Sequence, residues 1–111
     1  MKHLKIYESF NLTDVKEGDY VILNPSVDFT PGASLGIISR YFDFVGNNIG
    51  QIILIDKDHN NVKIKYHNID FNIRHLFDKD GAIFSHQSYI KYAGSTIEDI
   101  MIQYEADKFN L

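Results

Sequence analysis

Five histidines, His3, His59, His67, His75 and His86, are the first side chains in this sequence that could bind a metal or move a proton. A helical zinc site places two histidines four residues apart on one face, or completes its ligand set with cysteine. This sequence has no such pair and no cysteine. Only His67 and His75 are expected to meet, across neighbouring strands. Asp56-Lys57-Asp58-His59-Asn60-Asn61 begins like a calcium loop, with acceptors at its first, third and fifth positions. It then departs from that pattern, with Asn61 where the sharp bend needs glycine and His67 where the loop needs glutamate. The segment reads as a hairpin turn. No serine lies in a Gly-x-Ser-x-Gly elbow, and Ser85 and His86, as strand neighbours, point to opposite faces. No glycine loop is followed by the lysine that would cradle a phosphate. The reading is a protein that is not an enzyme, with no catalytic residue, no metal and no cofactor.

Two constellations point to binding. Lys63, Lys65 and His67 alternate along one strand face, and Arg74 is placed beside them. A cationic face with aromatics nearby suits single-stranded nucleic acid, and RNA is the candidate ligand. Lysines on a strand face also deter edge-to-edge aggregation, which needs no ligand. The second constellation is Arg40-Tyr41-Phe42-Asp43-Phe44-Val45. A helix here buries Phe42 and Val45 and leaves Tyr41 and Phe44 on a flanking face. With Arg40 they form candidate protein-interface anchors, aromatic and arginine residues being enriched at such surfaces. Burial of Phe42 and Phe44 in a homodimer is the alternative use of the same helix.

The elements that must position these residues are legible from spacing. Gly18-Asp19 precedes the apolar run Tyr20 to Leu23, and Gly50-Gln51 opens a second run, Ile52 to Ile55, apolar on both faces. That second strand is expected to be central and covered on both sides. Val62, Ile64 and Tyr66 form the core face of the third. An irregular strand is expected over 70–77, then the turn Asp78-Lys79-Asp80-Gly81, then short strands over 82–84 and 88–92. Leu35, Ile38, Phe42 and Val45 recur at helical spacing, with Ser34 as cap and Gly46-Asn47-Asn48 as a left-handed stop. Residues 25–33 read as a loop marked by Pro25 and Pro31. Ser95-Thr96-Ile97-Glu98 fits a capping box, and Ile97, Ile100, Met101 and Tyr104 are expected to dock the C-terminal helix.

The expectation is one α+β domain, mainly β, over residues 1–111. It comprises an N-terminal extension (1–16), an SH3-like small antiparallel barrel (18–92) with a covering helix near 34–46, and a C-terminal helix near 96–107 within 95–108. The 111 residues suit one core. With 44% hydrophobic residues, including eight phenylalanines and seven tyrosines, the chain is globular in composition. A net charge of -4 argues against a dedicated duplex-DNA binder. No run approaches the roughly 20 apolar residues of a membrane span. The N-terminus lacks the apolar core of a signal peptide. With cysteine absent, a reducing, cytoplasmic location is expected.

The opening Met1-Lys2-His3-Leu4-Lys5-Ile6-Tyr7-Glu8-Ser9-Phe10, the Gly18-Asp19-Tyr20-Val21 strand, Asn47-Asn48-Ile49-Gly50-Gln51-Ile52-Ile53 and the closing Lys108-Phe109-Asn110-Leu111 carry a resemblance. Together the chain resembles a group of small phage and prophage proteins of Bacteroidota-type hosts. The resemblance implies a viral accessory protein acting in host cytoplasm. It would bind and modulate or inhibit a host protein, in the manner of an anti-defence or anti-CRISPR factor. An RNA-contacting barrel using Lys63, Lys65, His67 and Arg74 is the alternative. Ile6-Tyr7-Glu8 also resembles the cut site of capsid-targeting leaders, although it is read as uncleaved, and it motivates a third reading, a virion-packaged internal protein.

Overall fold

The computed structural model describes residues 15–24 and 35–109. The expectations for the first fourteen residues, the 25–33 loop, the Ser34 cap, the leader-like Ile6-Tyr7-Glu8 and the closing Asn110-Leu111 lie outside the described residues. The described residues form five strands: β1 (Tyr20–Leu23), β2 (Gly50–Asp56), β3 (Asn61–Lys65), β4 (Ala82–His86) and β5 (Ile90–Gly94). Helix α1 (Leu35–Asn47) joins β1 to β2, and α2 (Ile97–Phe109) follows β5. The strands form one antiparallel sheet in the order β4-β3-β2-β1-β5. The sheet is not closed, and β4 and β5 are its edges.

Alternation along the strands sends Val62, Ile64, Ile52 and Ile83 to one face, where they meet Val21, Leu23, Tyr41, Val45, Ile73 and Phe77 in the main core. Helix α1 and a 3-10 helix at Phe71–Leu76 cover this face. Ile22 and Tyr92 point the other way and bury Ile100 of α2, with Tyr20 and Ile49 beside them. Val15, at the end of the expected extension, is already a core residue.

Aromatic rings hold α1 in place. Phe44 meets Tyr66 at 5.5 Å and Phe77 at 5.9 Å between ring centroids, Tyr41 meets Phe77 at 5.9 Å, and Tyr66 meets Phe77 at 5.8 Å. The Tyr41–Phe77 pair is tilted and the other three are edge-to-face, and aromatic pairs of this kind stabilise by about 0.5–1.5 kcal/mol each beyond the area they bury. They also set the rotation of the helix. Its inward side carries Ile37, Tyr41, Phe42, Phe44 and Val45, so of the expected Leu35, Ile38, Phe42 and Val45 stripe the last two pack on the core as expected and are joined there by Tyr41 and Phe44.

Several local expectations are corrected. Gly46 stays within α1, and the helix is closed by the side-chain amides of Asn47 and Asn48, which donate to the carbonyls of Asp43 and Phe44. The 70–77 segment is helical because the Asp70 carboxylate accepts the Asn72 N–H and the turn buries Ile73. Residues 87–89 form a 3-10 turn capped by His86, so the last strand starts at Ile90. Strand β2 is central but covered on one side only. A bulge between Ile52 and Leu54 leaves Ile53 and Leu54 exposed. The α2 cap lies one residue later than expected, with the Thr96 hydroxyl accepting the Asp99 N–H. The expected turns form: Asn60 adopts left-handed geometry in the β2–β3 hairpin, and Gly81 does so before β4.

Two substitutions test the core. A Cβ at Gly50 would collide with the Ile64 side chain and lie 2.8 Å from the Tyr66 ring. Gly50→Ala is therefore expected to destabilise by about 1–3 kcal/mol through overpacking, measured by urea unfolding. The Tyr66 hydroxyl is buried without a hydrogen-bond partner, and burial pushes its pKa up. Tyr66→Phe removes that stranded group and is expected to raise stability by about 1 kcal/mol, read as a higher thermal midpoint.

Candidate functional site

Of the three expected interface anchors, α1 exposes only Arg40. Tyr41 is 7% exposed, and burial pushes its phenol up to about 12. Phe44 is half-buried against Tyr66 and Phe77. The correction has one cause, since the helix is turned to give both rings to the core. Phe42 also packs on this core, which removes the expected homodimer contact through Phe42 and Phe44.

The basic face divides into two parts. The Lys63 ammonium lies 3.1 Å from the Asp78 carboxylate and 5.5 Å above the centre of the Phe84 ring. The Arg74 guanidinium donates to the carbonyls of Asp78 and Lys79, at 2.7 and 3.0 Å, and so braces the turn before β4. Asp78 is the hub of this turn. Its carboxylate accepts the N–H groups of Ala82 and Asp80, and with Lys63 these hold it below the usual carboxylate range. Lys65 and His67 stand apart from that network, half-buried and exposed respectively, at the other end of the strand.

Register shows what shares the outer face with these lysines. Leu54 and Phe84 both lie directly opposite Lys63, so the three form one row across β2, β3 and β4. Leu54 is 43% and Phe84 53% exposed. Five strands at about 4.8 Å spacing make a sheet roughly 19 Å wide between its outer strands, whereas a helix covers about 10 Å. Helix α2 sits over β1 and β5, so it cannot also shield this row. Beside Phe84 a hollow of about 340 Å³ opens between Tyr41, Leu76, Asp78, Ala82 and Ile83.

The second uncovered surface belongs to α2. Ile100 is buried, while Ile97, Met101 and Tyr104, expected to dock with it, are exposed. Tyr104, although 40% exposed, keeps one ring contact with the sheet, edge-to-face with Tyr92 at 6.3 Å, and two polar contacts add to it: the Gln103 amide donates to the Ala93 carbonyl, and the Tyr92 hydroxyl donates to Asp107. The stripe overlooks a groove of about 280 Å³ bounded by Tyr20, Ile49, Gln51, Lys65, His67 and Ile97.

Catalytic geometry is sparse among the described residues. The Ser88 hydroxyl lies 2.8 Å from His86 Nδ1, a contact that the expectation about Ser85 and His86 missed. The same nitrogen accepts the Ser88 N–H at 3.2 Å, so the imidazole caps the 87–89 turn. His75 lies in the 70–77 helical segment, and not on a strand next to His67. Among the described residues no group of three or more His, Asp or Glu is placed to hold a metal ion. None of their helices is long and apolar enough to cross a membrane.

The exposed residues Leu54 and Phe84 were not picked out from the sequence, and Ile97 and Met101 were picked out only as docking residues. Phe84 could have been found, because strict alternation from Val62 and Ile83 places it outside. Leu54 could not, since the bulge at Ile53 reverses its face. Comparison with known protein families, with curated proteins and with solved structures finds no match.

Acid sensitivity follows from Asp78 and Asp56. The second is lowered chiefly by its hydrogen bond from His59. A carboxylate whose folded pKa is depressed stabilises the fold above its unfolded pKa, about 3.9, and that contribution is lost as pH falls through the folded value. Stability is expected to decline below about pH 4 by denaturant unfolding. In Asp78→Asn the decline is expected to be shallower, with lower stability at neutral pH.

Proposed function

We propose that this protein is a non-enzymatic protein-interaction module. The observation that carries the reading is the uncovered Leu54–Lys63–Phe84 row, where two exposed apolar side chains flank a lysine beside an open hollow. Aromatic and aliphatic side chains around a fixed cation are what a protein partner desolvates at the centre of a contact. Asp78 holds Lys63 in place, so little side-chain freedom is lost on binding. The proposed contact therefore lies on the sheet and not on α1, where Tyr41 and Phe44 serve the core.

We also infer an SH3-like arrangement. Its support is the strand order, in which β1 lies between β2 and β5, together with the 3-10 turn at Gln87–Tyr89 leading into the last strand. Helix α1 is then an insertion between β1 and β2. In this reading the protein is a phage-type accessory factor in host cytoplasm that blocks or modulates a host protein by occupancy, as an anti-defence or anti-CRISPR-like inhibitor does. Blocking requires shape and a few anchors, and no catalytic group.

The alternative, an RNA-contacting sheet, draws on the Phe84 ring exposed beside Lys63. Arg74 is committed to the turn carbonyls, so only Lys63, Lys65 and His67 of the four expected contacts remain for phosphates.

The two readings separate in an affinity capture from host lysate, run with and without nuclease and followed by binding to the purified captured protein. The expected outcome is one protein that survives nuclease and loses about 30-fold or more in affinity for the Leu54→Asp, Phe84→Asp double variant. Recovery abolished by RNase, or unchanged by the double variant, would overturn the proposal.

A further inference from the structure

We propose that α2 and the groove beside it form a homodimer interface, with a second copy of this chain as the occupant. Ile97, Met101 and Tyr104 recur at spacings of four and three and so share one stripe of the helix. All three are exposed, Ile97 and Met101 by nearly half and Tyr104 with one ring edge on Tyr92, while Ile100, Gln103 and Asp107 make the other contacts that hold α2 to its own sheet. The stripe reaches the groove at its first residue: the floor is the cross-strand row Tyr20, Gln51 and Lys65, and Ile97 stands in the wall. This surface adjoins the Leu54–Lys63–Phe84 row, Lys65 being the next outward residue of β3 after Lys63, but shares no residue with it, so the inference goes beyond the proposed function and does not depend on it.

Charge identifies the occupant. Lys65 and His67 line the groove, and neither forms an ion pair among the described residues. Glu98 and Glu105 are seven residues apart, so they lie on one side of α2 next to Met101, and they too form none. A single chain thus carries an apolar helix stripe with an acidic margin and a groove of mixed lining that contains two basic side chains. Surfaces that complement each other within one chain are what a two-fold interface requires, because each contact is made twice.

The geometry closes around Met101. Two α2 helices running antiparallel about a two-fold axis at this residue place Ile97, four residues before it, across from Glu105 of the second copy, four residues after it. Glu105 of the second copy then meets Lys65 and His67, and Tyr104 packs by Ile97. The same set repeats on the other side. Helix α2 has 13 residues and is about 20 Å long, enough for both contacts to form at once.

Sedimentation equilibrium of the full chain, from micromolar to submillimolar concentration, tests the inference. A dimer is expected, dissociating more readily as salt rises. Lys65→Glu and Glu105→Lys are each expected to weaken it by about tenfold or more, and the double charge reversal to restore it to within about threefold. Met101→Asp is expected to be monomeric, with circular dichroism confirming that each variant is folded. Should Lys65→Glu fail to fold, Glu105→Lys and Met101→Asp, both at exposed positions, carry the test. A native chain that stays monomeric throughout, or a dimer indifferent to Met101→Asp and Glu105→Lys, would overturn the proposal.

Discussion

The fold depends on how Tyr66 is housed. Its ring lies at the end of β3, beyond the last ladder pair, and it fits there because residue 50 has no side chain. From that position it meets Phe44 of α1 and Phe77 at the end of the 3-10 segment. A helix, a strand end and an irregular segment are thereby fixed to one another through ring edges and faces, contacts with a preferred geometry that a cluster of aliphatic side chains would not impose. The arrangement strands the Tyr66 hydroxyl, a group that costs free energy when buried unpaired. Packing of the ring outweighs that loss.

Because the rings of α1 are used inward, the surface chemistry lies on the opposite side of the sheet. There α2 covers β1 and β5, and the remaining strands present Leu54, Lys63 and Phe84. A single helix is too narrow for a five-stranded sheet, and among the described residues Leu54 and Phe84 are left exposed on the part of the face beyond it. Which side chains occupy that part is particular to this chain. The Arg74 and Asp78 contacts stiffen the turn at its margin, and Lys63 bridges that turn to the Phe84 ring. Structure and surface chemistry are joined at this point, since the group that anchors the turn also orients the cation.

The overall charge of -4 conceals a separation of sign. Helix α2 gathers Glu98, Asp99, Glu105 and Asp107, while Lys63, Lys65 and His67 lie on or beside the neighbouring strands. Asp99 and Asp107 accept hydrogen bonds from Ser95 and Tyr92, which leaves Glu98 and Glu105 as the charges the helix presents. Attraction between surface charges of this kind is modest and screened by salt, so it orients contacts more than it drives them. The apolar stripe beside them provides the area.

Local chemistry alone determined much of this protein. The Val62–Tyr66 alternation, the polar β2–β3 turn, the Asp78–Gly81 turn before β4 and the existence of both helices follow from residue type and period, because each depends on neighbours close in sequence. The rotation of α1 did not, since Tyr41, Phe42 and Phe44 all offer rings to the core and contacts with Tyr66 and Phe77 bring Tyr41 and Phe44 in beside Phe42. Leu54 turned outward because one extra residue in β2 reverses the alternation, a register effect invisible without the partner strand. Ile97 and Met101 were left exposed because burial of Ile100 and the contacts of Gln103 with Ala93, Asp107 with Tyr92 and Tyr104 with the Tyr92 ring set the face by which α2 docks. Sequence thus determined which segments are helix or strand, and tertiary structure decided which faces remain for a partner. A face is defined only by what packs against its opposite side.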